Sequence, residues 1–424
     1  MQGLICHHFL YGRKQNITHR NISLQWIGDR VQYSLVNRLN LCVLAMKRPC
    51  FFILKLNAAL LFFATLLMLT HPVFAATPLT SRLDTPAHRY NNVSASMFVG
   101  IQKVGARLIA VGERGLIAYS DDAGKKWLQA DVPVSSTLTS LYFTDEKNGW
   151  VVGHGGVILH SNNSGTTWEK QFDGNQANEL ILAEINQKLH GLKQEYEAAD
   201  ELEQEDLLFE IEDTEYALSD AEFDADMGAA NPLLDVWFEN ETHGYVVGAY
   251  GFFFATSDGG KNWKFIAGRM DNIDRYHLNA IQKIKGGALL IAGEAGTLFS
   301  SSDMGETWEA LYGPYQGSYF GIQNTKNQNE VLVYGLRGNV YKSVDDGQSW
   351  KKIETSISTS LAGSALSDDG TITLVGFSGT ILTSSDDGQS FQLNERVSLE
   401  AYTAVEVLNG NQLIIASENG ITLQ

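Results

Sequence analysis

Beyond residue 50 the chain has no cysteine, since all three (Cys6, Cys42 and Cys50) fall in the first 50 of its 424 residues. No disulfide can therefore hold the downstream fold together, although an oxidising compartment would be tolerated. Proline is scarce, with 7 residues against 40 glycines, a balance that suits many short strands joined by tight turns. Long apolar runs are also missing. Ala58 to Leu69 covers 12 residues, short of the ~20 that a membrane-spanning helix needs. Basic residues are outnumbered, 31 Lys and Arg against 49 Asp and Glu, for a net charge of −18. Residues 1–75 carry +7 of the total, so 76–424 stand at −25. Such an acidic chain is a poor partner for nucleic acid. No Gly-rich phosphate loop, nucleophile elbow or metal-ligand cluster occurs. Catalytic residues, metal and cofactor are all read as none, and no small-molecule substrate is expected.

The apolar run belongs to a segment, 46–75, with the features of a secretory signal: Lys47 and Arg48 ahead of it and Val73-Phe74-Ala75 as a small-residue cleavage site. A membrane anchor is the alternative. Cys50 precedes the run and so cannot be a lipidated residue at the cleavage site. Residues 1–45 show no pattern and read as a non-native upstream extension, with Met46 as the true start. The expected location is periplasmic or secreted.

What is abundant is repetition. Gly115, Gly156, Gly251, Gly296, Gly338 and Gly379 each stand 12 residues before an aromatic, namely Trp127, Trp168, Trp263, Trp308, Trp350 and Phe391. A seventh unit starts at Gly420 and stops at Gln424. Successive units start 41, 95, 45, 42, 41 and 41 residues apart. Each fits four short strands bounded by Gly and Asp/Asn turns. The reading is an all-β protein, a seven-bladed β-propeller of four-stranded antiparallel blades occupying 76–424. Because the last unit is truncated, the lead-in at 77–93 is expected to supply its outermost strand.

The aromatic closes a box such as SSDMGETW at 301–308. Its Ser and Asp can accept backbone N–H bonds within the turn, and its Gly permits a positive φ. Asp122, Asp258, Asp303, Asp345 and Asp386 hold the acidic position, and Asn163 replaces it once. Asn keeps an accepting oxygen but lacks charge, which favours a turn-former over a calcium ligand.

The opening turns vary in their middle pairs: Glu113-Arg114, His154-Gly155, Ala249-Tyr250, Glu294-Ala295, Leu336-Arg337, Phe377-Ser378 and Glu418-Asn419. In up-and-down blades they share one face with the inter-blade connections, opposite the boxes. They form the candidate binding ring, with Arg114 and Arg337 foremost and His154, Tyr250 and Glu294 alongside. Arg269 and Arg275, in a connection on the same face, could extend it.

The 95-residue interval holds an insertion at 174–230, between blades 2 and 3. Ile181, Ile185, Leu189, Leu192, Tyr196 and Ala199 step by threes and fours, as do Leu207, Ile211, Thr214, Leu218 and Ala221. An antiparallel helical hairpin follows, its turn placed near 200–205. Residues 177–227 carry 17 Asp and Glu against two Lys. The hairpin is either a solvated decoration or a docking arm for a basic partner.

The boxes resemble the Asp-box, or BNR, repeat. Together with the Val-Gly-x-x-Gly-x-Ile turns and the 12-residue spacing, they resemble the photosystem II stability/assembly factor family and its non-photosynthetic relatives, over 94–424 outside the insertion. The resemblance implies an exported, monomeric, non-enzymatic assembly chaperone. It further implies an Arg patch contacting a membrane protein partner, in the thylakoid lumen if the host is photosynthetic. The rival class is an Asp-box glycoside hydrolase of sialidase or glucanase type, for which Tyr250, Glu294 and Arg337 would have to converge at the channel mouth.

Overall fold

The computed structural model describes residues 81–395, 398–408 and 412–424. The expectations for 1–45 and for the signal at 46–75 lie outside them. Seven antiparallel sheets follow one another along the chain, each in simple strand order. Blade 2 sets the pattern. Leu138–Phe143 pairs with Gly149–Gly153, that strand with Ile158–Ser161, and the third with Glu169–Phe172. Second strands are buried along most or all of their length, wholly so in Leu289–Gly293 and Val331–Gly335, because both faces of each sheet pack on a neighbouring blade. Trp150, fully buried, shows the contact between blades. Its ring stacks on Phe238 of blade 3 with centroids 3.7 Å apart and planes 12° off parallel.

The first strands line a central channel of about 240 Å³. Every first-to-second strand pairing slips by one residue at the same end, as between Leu138 and Ser140 or Tyr402 and Ala404. The bulged residue is freed from its own ladder, and in three blades its side chain reaches the next blade. Thr139 Oγ1 donates to Leu233 O at 2.7 Å, Asn279 Nδ2 to Tyr319 O at 2.8 Å, and Thr403 Oγ1 to Phe98 O at 2.9 Å.

The last of these bonds joins blade 7 to blade 1, and here one expectation is corrected. Among the described residues six sheets have four strands and blade 7 has three: Tyr402–Val407, Leu413–Ser417 and Gly420–Leu423. The described part of the lead-in, 81–93, adds no strand to it. That segment, SRLDTPAHRYNNV, shows no alternation of apolar and polar residues, and its backbone donors go elsewhere, as Ala87 N does to Val132 O and Tyr90 N to Gln129 Oε1. It runs instead along the face of the opening turns. Asp84 pairs with Lys170 at 2.9 Å, Ala87 N donates to Val132 O at 3.0 Å, and a short 3₁₀ turn, Val93–Ala95, lies against blade 7. The ring closes through side chains packed between blades 1 and 7, among them Phe98, Leu108, Leu408 and Ile414, and through the Thr403 bond.

The boxes form as their residues dictate. Ser301 donates to Asp303 Oδ1 at 2.8 Å and accepts from Gly305 N at 2.7 Å, while Thr307 N and Oγ1 donate to the two carboxylate oxygens at 2.9 and 2.6 Å. The Thr307 hydroxyl, its backbone N–H and Ser301 hold Asp303 down at about 2; Asp386 is brought to the same value, chiefly by Ser390. Asn163 fills the same place by accepting from Thr167 N at 3.0 Å. These carboxylates are engaged as turn-formers.

The insertion is a pair of helices, α1 (Gly174–Ala198) and α2 (Glu201–Asp226). Asp173 opens α1 with a capping box. The turn falls at Ala199-Asp200, slightly before the expected 200–205. Asp200 Oδ1 caps α2 by accepting from Leu202 N and Glu203 N, and Gln204 Nε2 reaches back to Tyr196 O and Ala199 O. Those side chains do at this bend what Gly usually does at a helix end. The two expected stripes meet: Leu189, Leu192 and Ile211 form the middle of the interface, with Tyr196, Leu207 and Leu218 around them. At its base Ala177, Ile181 and Ala221 join the core between blades 2 and 3.

Candidate functional site: the ring of opening turns

Each opening turn is a tight reversal between the second and third strands. In blade 1, Leu116 N donates to Glu113 O at 2.9 Å, and both central residues are left-handed, Arg114 at φ 53° and Gly115 at φ 74°. Positive φ at both positions is the type I′ geometry that matches strand twist. The glycine answers a second demand. A Cβ on Gly115 would lie 1.9 Å from Val134 O, in the connection to blade 2, and one on Gly296 would lie 1.9 Å from Tyr315 O. The turns thus sit directly against the inter-blade connections, on the face the sequence implies.

The residue before that glycine is where the blades differ. Arg114, Tyr250, Ala295, Arg337 and Ser378 all hold φ between 53° and 58°. Side chains with a Cβ are strained there, and such strain collects at functional sites. Arg114 and Arg337 are exposed, and neither guanidinium has an ion pair or hydrogen bond among the described residues. They stand on blades 1 and 5, on different sides of the channel mouth.

Tyr250, Glu294 and Arg275 come together between blades 3 and 4, with two residues the sequence reading missed, His277 and Asp224. Tyr250 N donates to His277 Nδ1 at 3.0 Å, and the two rings meet edge to face at 4.8 Å. His277 N donates to Glu294 Oε2 at 3.3 Å. Arg275 Nε donates to Tyr250 O at 3.4 Å, and its guanidinium lies 3.7 Å from Asp224 of α2. The cluster anchors the hairpin to the ring. Its only sequence signal is the triplet Arg275-Tyr276-His277 immediately before a first strand.

Two candidates fall elsewhere. Arg269 turns away from the ring, donating to Gly305 O at 2.9 Å and pairing with Glu306 at 3.3 Å in a closing box. His154 lies apart from the cluster, beside the lead-in; burial, and then the charge of Arg82, push its pKa down. Arg337 makes no contact with Tyr250 or Glu294 among the described residues, so the three do not converge as the glycosidase reading requires.

Seven blades, Asp-box turns and an outward ring of variable turns define a BNR-type propeller. The family model of the photosynthesis system II assembly factor YCF48 matches residues 101–189 and 218–371, more than half of the chain, and passes over 190–217 inside the hairpin. The chain belongs to that family. It is 27% identical over 184 residues to the photosystem II assembly lipoprotein Ycf48 of Synechococcus sp., covering 42% of this chain and 53% of that protein. With the rice chloroplastic photosystem II stability/assembly factor HCF136 it shares 27% over 136 residues, 30% of this chain and 32% of that one. The chain therefore spans about half or less of the length of these curated relatives. Among solved structures, YCF48 bound to a D1 peptide superimposes with a TM-score of 0.53 at 15% identity, covering 80% of this chain and 98% of that one. A GH74 enzyme from Niastella koreensis reaches 0.50 at 14% identity, over 78% and 53%. At these identities the likeness is one of fold.

Proposed function

We propose that this protein is an exported, non-catalytic assembly or stability factor that binds a segment of a membrane or envelope protein on its ring of opening turns. The observation that carries the reading is the pair Arg114 and Arg337, exposed, without ion-pair or hydrogen-bond partners for their guanidinium groups among the described residues, and held in a strained conformation on turns that point away from the blades. Guanidinium groups so placed recognise carboxylates by a fork and aromatic rings by their plane. The family's assembly role and a related propeller that holds a D1 peptide support a protein ligand over a small molecule. The box carboxylates, occupied within their own turns, are unsuited to hydrolysis.

The test is capture from detergent-solubilised membranes of the native host, with three forms of the protein. Unaltered protein and a box-face control, Lys125→Glu/Lys126→Glu, should retain the same membrane partners, and Arg114→Glu/Arg337→Glu should lose them. Retention by the Arg variant, or equal loss by the control, would overturn the assignment to this face.

A further inference from the structure

The hairpin carries a second apolar stripe, which belongs to none of the buried clusters among the described residues. On α2 the inward stripe, Leu207, Ile211, Thr214, Leu218 and Ala221, is turned toward α1 and the blades. Leu202, Phe209, Tyr216 and Phe223 recur every seven residues, an interval of 700° that returns to nearly the same side of the helix. That side is opposite the buried one, and the four side chains are between 63% and 78% exposed. From Leu202 to Phe223 the stripe is about 32 Å long. Large side chains spaced so regularly and left in water mark an interaction surface.

Charge selects the occupant. α2 holds 12 Asp and Glu and no Lys, Arg or His. Only Glu215, with Lys193 at 2.7 Å, and Asp224, with Arg275, have cationic partners among the described residues. Glu205, Glu212, Asp213 and Asp220 flank the exposed stripe. A second copy would set twelve acids against twelve, and an anionic lipid surface would be repelled in the same way. We propose that the outer face of α2 docks an amphipathic helix of a partner protein whose apolar face is bordered by Lys and Arg. This is the helix-against-helix mode of recognition, with the acidic borders fixing register. The inference concerns a surface separate from the turn ring and does not depend on it.

The test uses the purified full chain and a labelled three-heptad peptide with Leu at the a and d positions and Lys at the rest, followed by fluorescence anisotropy at physiological salt. A scrambled peptide of the same composition serves as a control, as do phosphatidylglycerol vesicles. Phe209→Ser/Tyr216→Ser/Phe223→Ser, with helix content checked by circular dichroism, should weaken binding at least about tenfold. Tyr216→Lys, a single outward change, should weaken it in the same direction should the triple variant lose its helix. Arg114→Glu/Arg337→Glu should bind the peptide as the unaltered chain does. Equal affinity for the scrambled peptide, or undiminished binding by the stripe variants, would overturn the proposal. So would self-association, or vesicle binding without peptide binding, that the stripe variants abolish.

Discussion

Replacing Arg114 and Arg337 by Asn should make the protein more stable. Arg337 sits at φ 58°, ψ 32° and Arg114 at φ 53°, ψ 38°, where a residue with a Cβ costs about 1 kcal/mol relative to a relaxed conformation. Asn tolerates this region by bonding its own backbone, so each change should recover about 0.5–1 kcal/mol. Nothing is lost in exchange. The guanidinium groups have no partners among the described residues, and the bond from Arg337 N to Ser360 Oγ at 3.3 Å belongs to the backbone. Gly should do less than Asn, because its freedom in the unfolded chain offsets the relieved strain. The two turns are on separate blades, so their effects should add to about 1–2 kcal/mol. For a body of about 340 residues unfolding with roughly 0.7 kcal/mol per degree, the double variant should melt about 1.5–3 °C higher. Urea titration should show a higher midpoint with an unchanged slope. A loss of about 1 kcal/mol or more in either single variant would mean that the Arg side chain supports the fold, and the argument from strain to recognition would fail.

Trp150→Ala should cost about 3–5 kcal/mol, because it empties a fully buried site and removes the stack on Phe238. A double-mutant cycle with Phe238→Ala, read by denaturant unfolding, should return a coupling of about 0.5–1.5 kcal/mol. The acid side of the stability profile tests Asp235, whose carboxyl lines the channel and is ringed by protein. Burial pushes it up to about 6 against hydrogen bonds from Ser140 Oγ and the N–H groups of Ile281 and Val236. The folded state then binds more protons than the unfolded one between the ordinary aspartate value and about 6. Stability should fall as pH rises through that window, and Asp235→Asn should flatten the descent in melts taken from pH 4 to 7.

How much of this the sequence displays depends on where the information resides. The box at 301–308 contains its own donors, acceptors and positive-φ glycine, so its turn was legible residue by residue. The stripes of α1 and α2 that face each other were equally plain, since three-and-four spacing has one reading. The hairpin bend was missed by a few residues because Asp200 and Gln204 cap it without Gly or Pro. The lead-in defeated the reading because ring closure suggested a strand, while the chemistry of 81–93 forms none. His277 and Asp224 join Tyr250 only after separate segments are folded together, and no local pattern announces such a meeting. The outer stripe of α2 was visible as a seven-residue period, but a helix apolar on two opposite sides has little net amphipathicity to draw attention to it.

The bond from Thr403 to Phe98 spans 305 positions of the chain. Drawing such distant ends together in an unstructured polymer costs about 5 kcal/mol of entropy. Each blade that settles early shortens the slack that remains, and the boxes, whose Ser and Asp bonds lie within their own eight residues, give each blade a corner that forms locally before its neighbours pack on it. The seam between first and last blades is accordingly the step that waits longest during synthesis, and the place where the finished circle would first come apart.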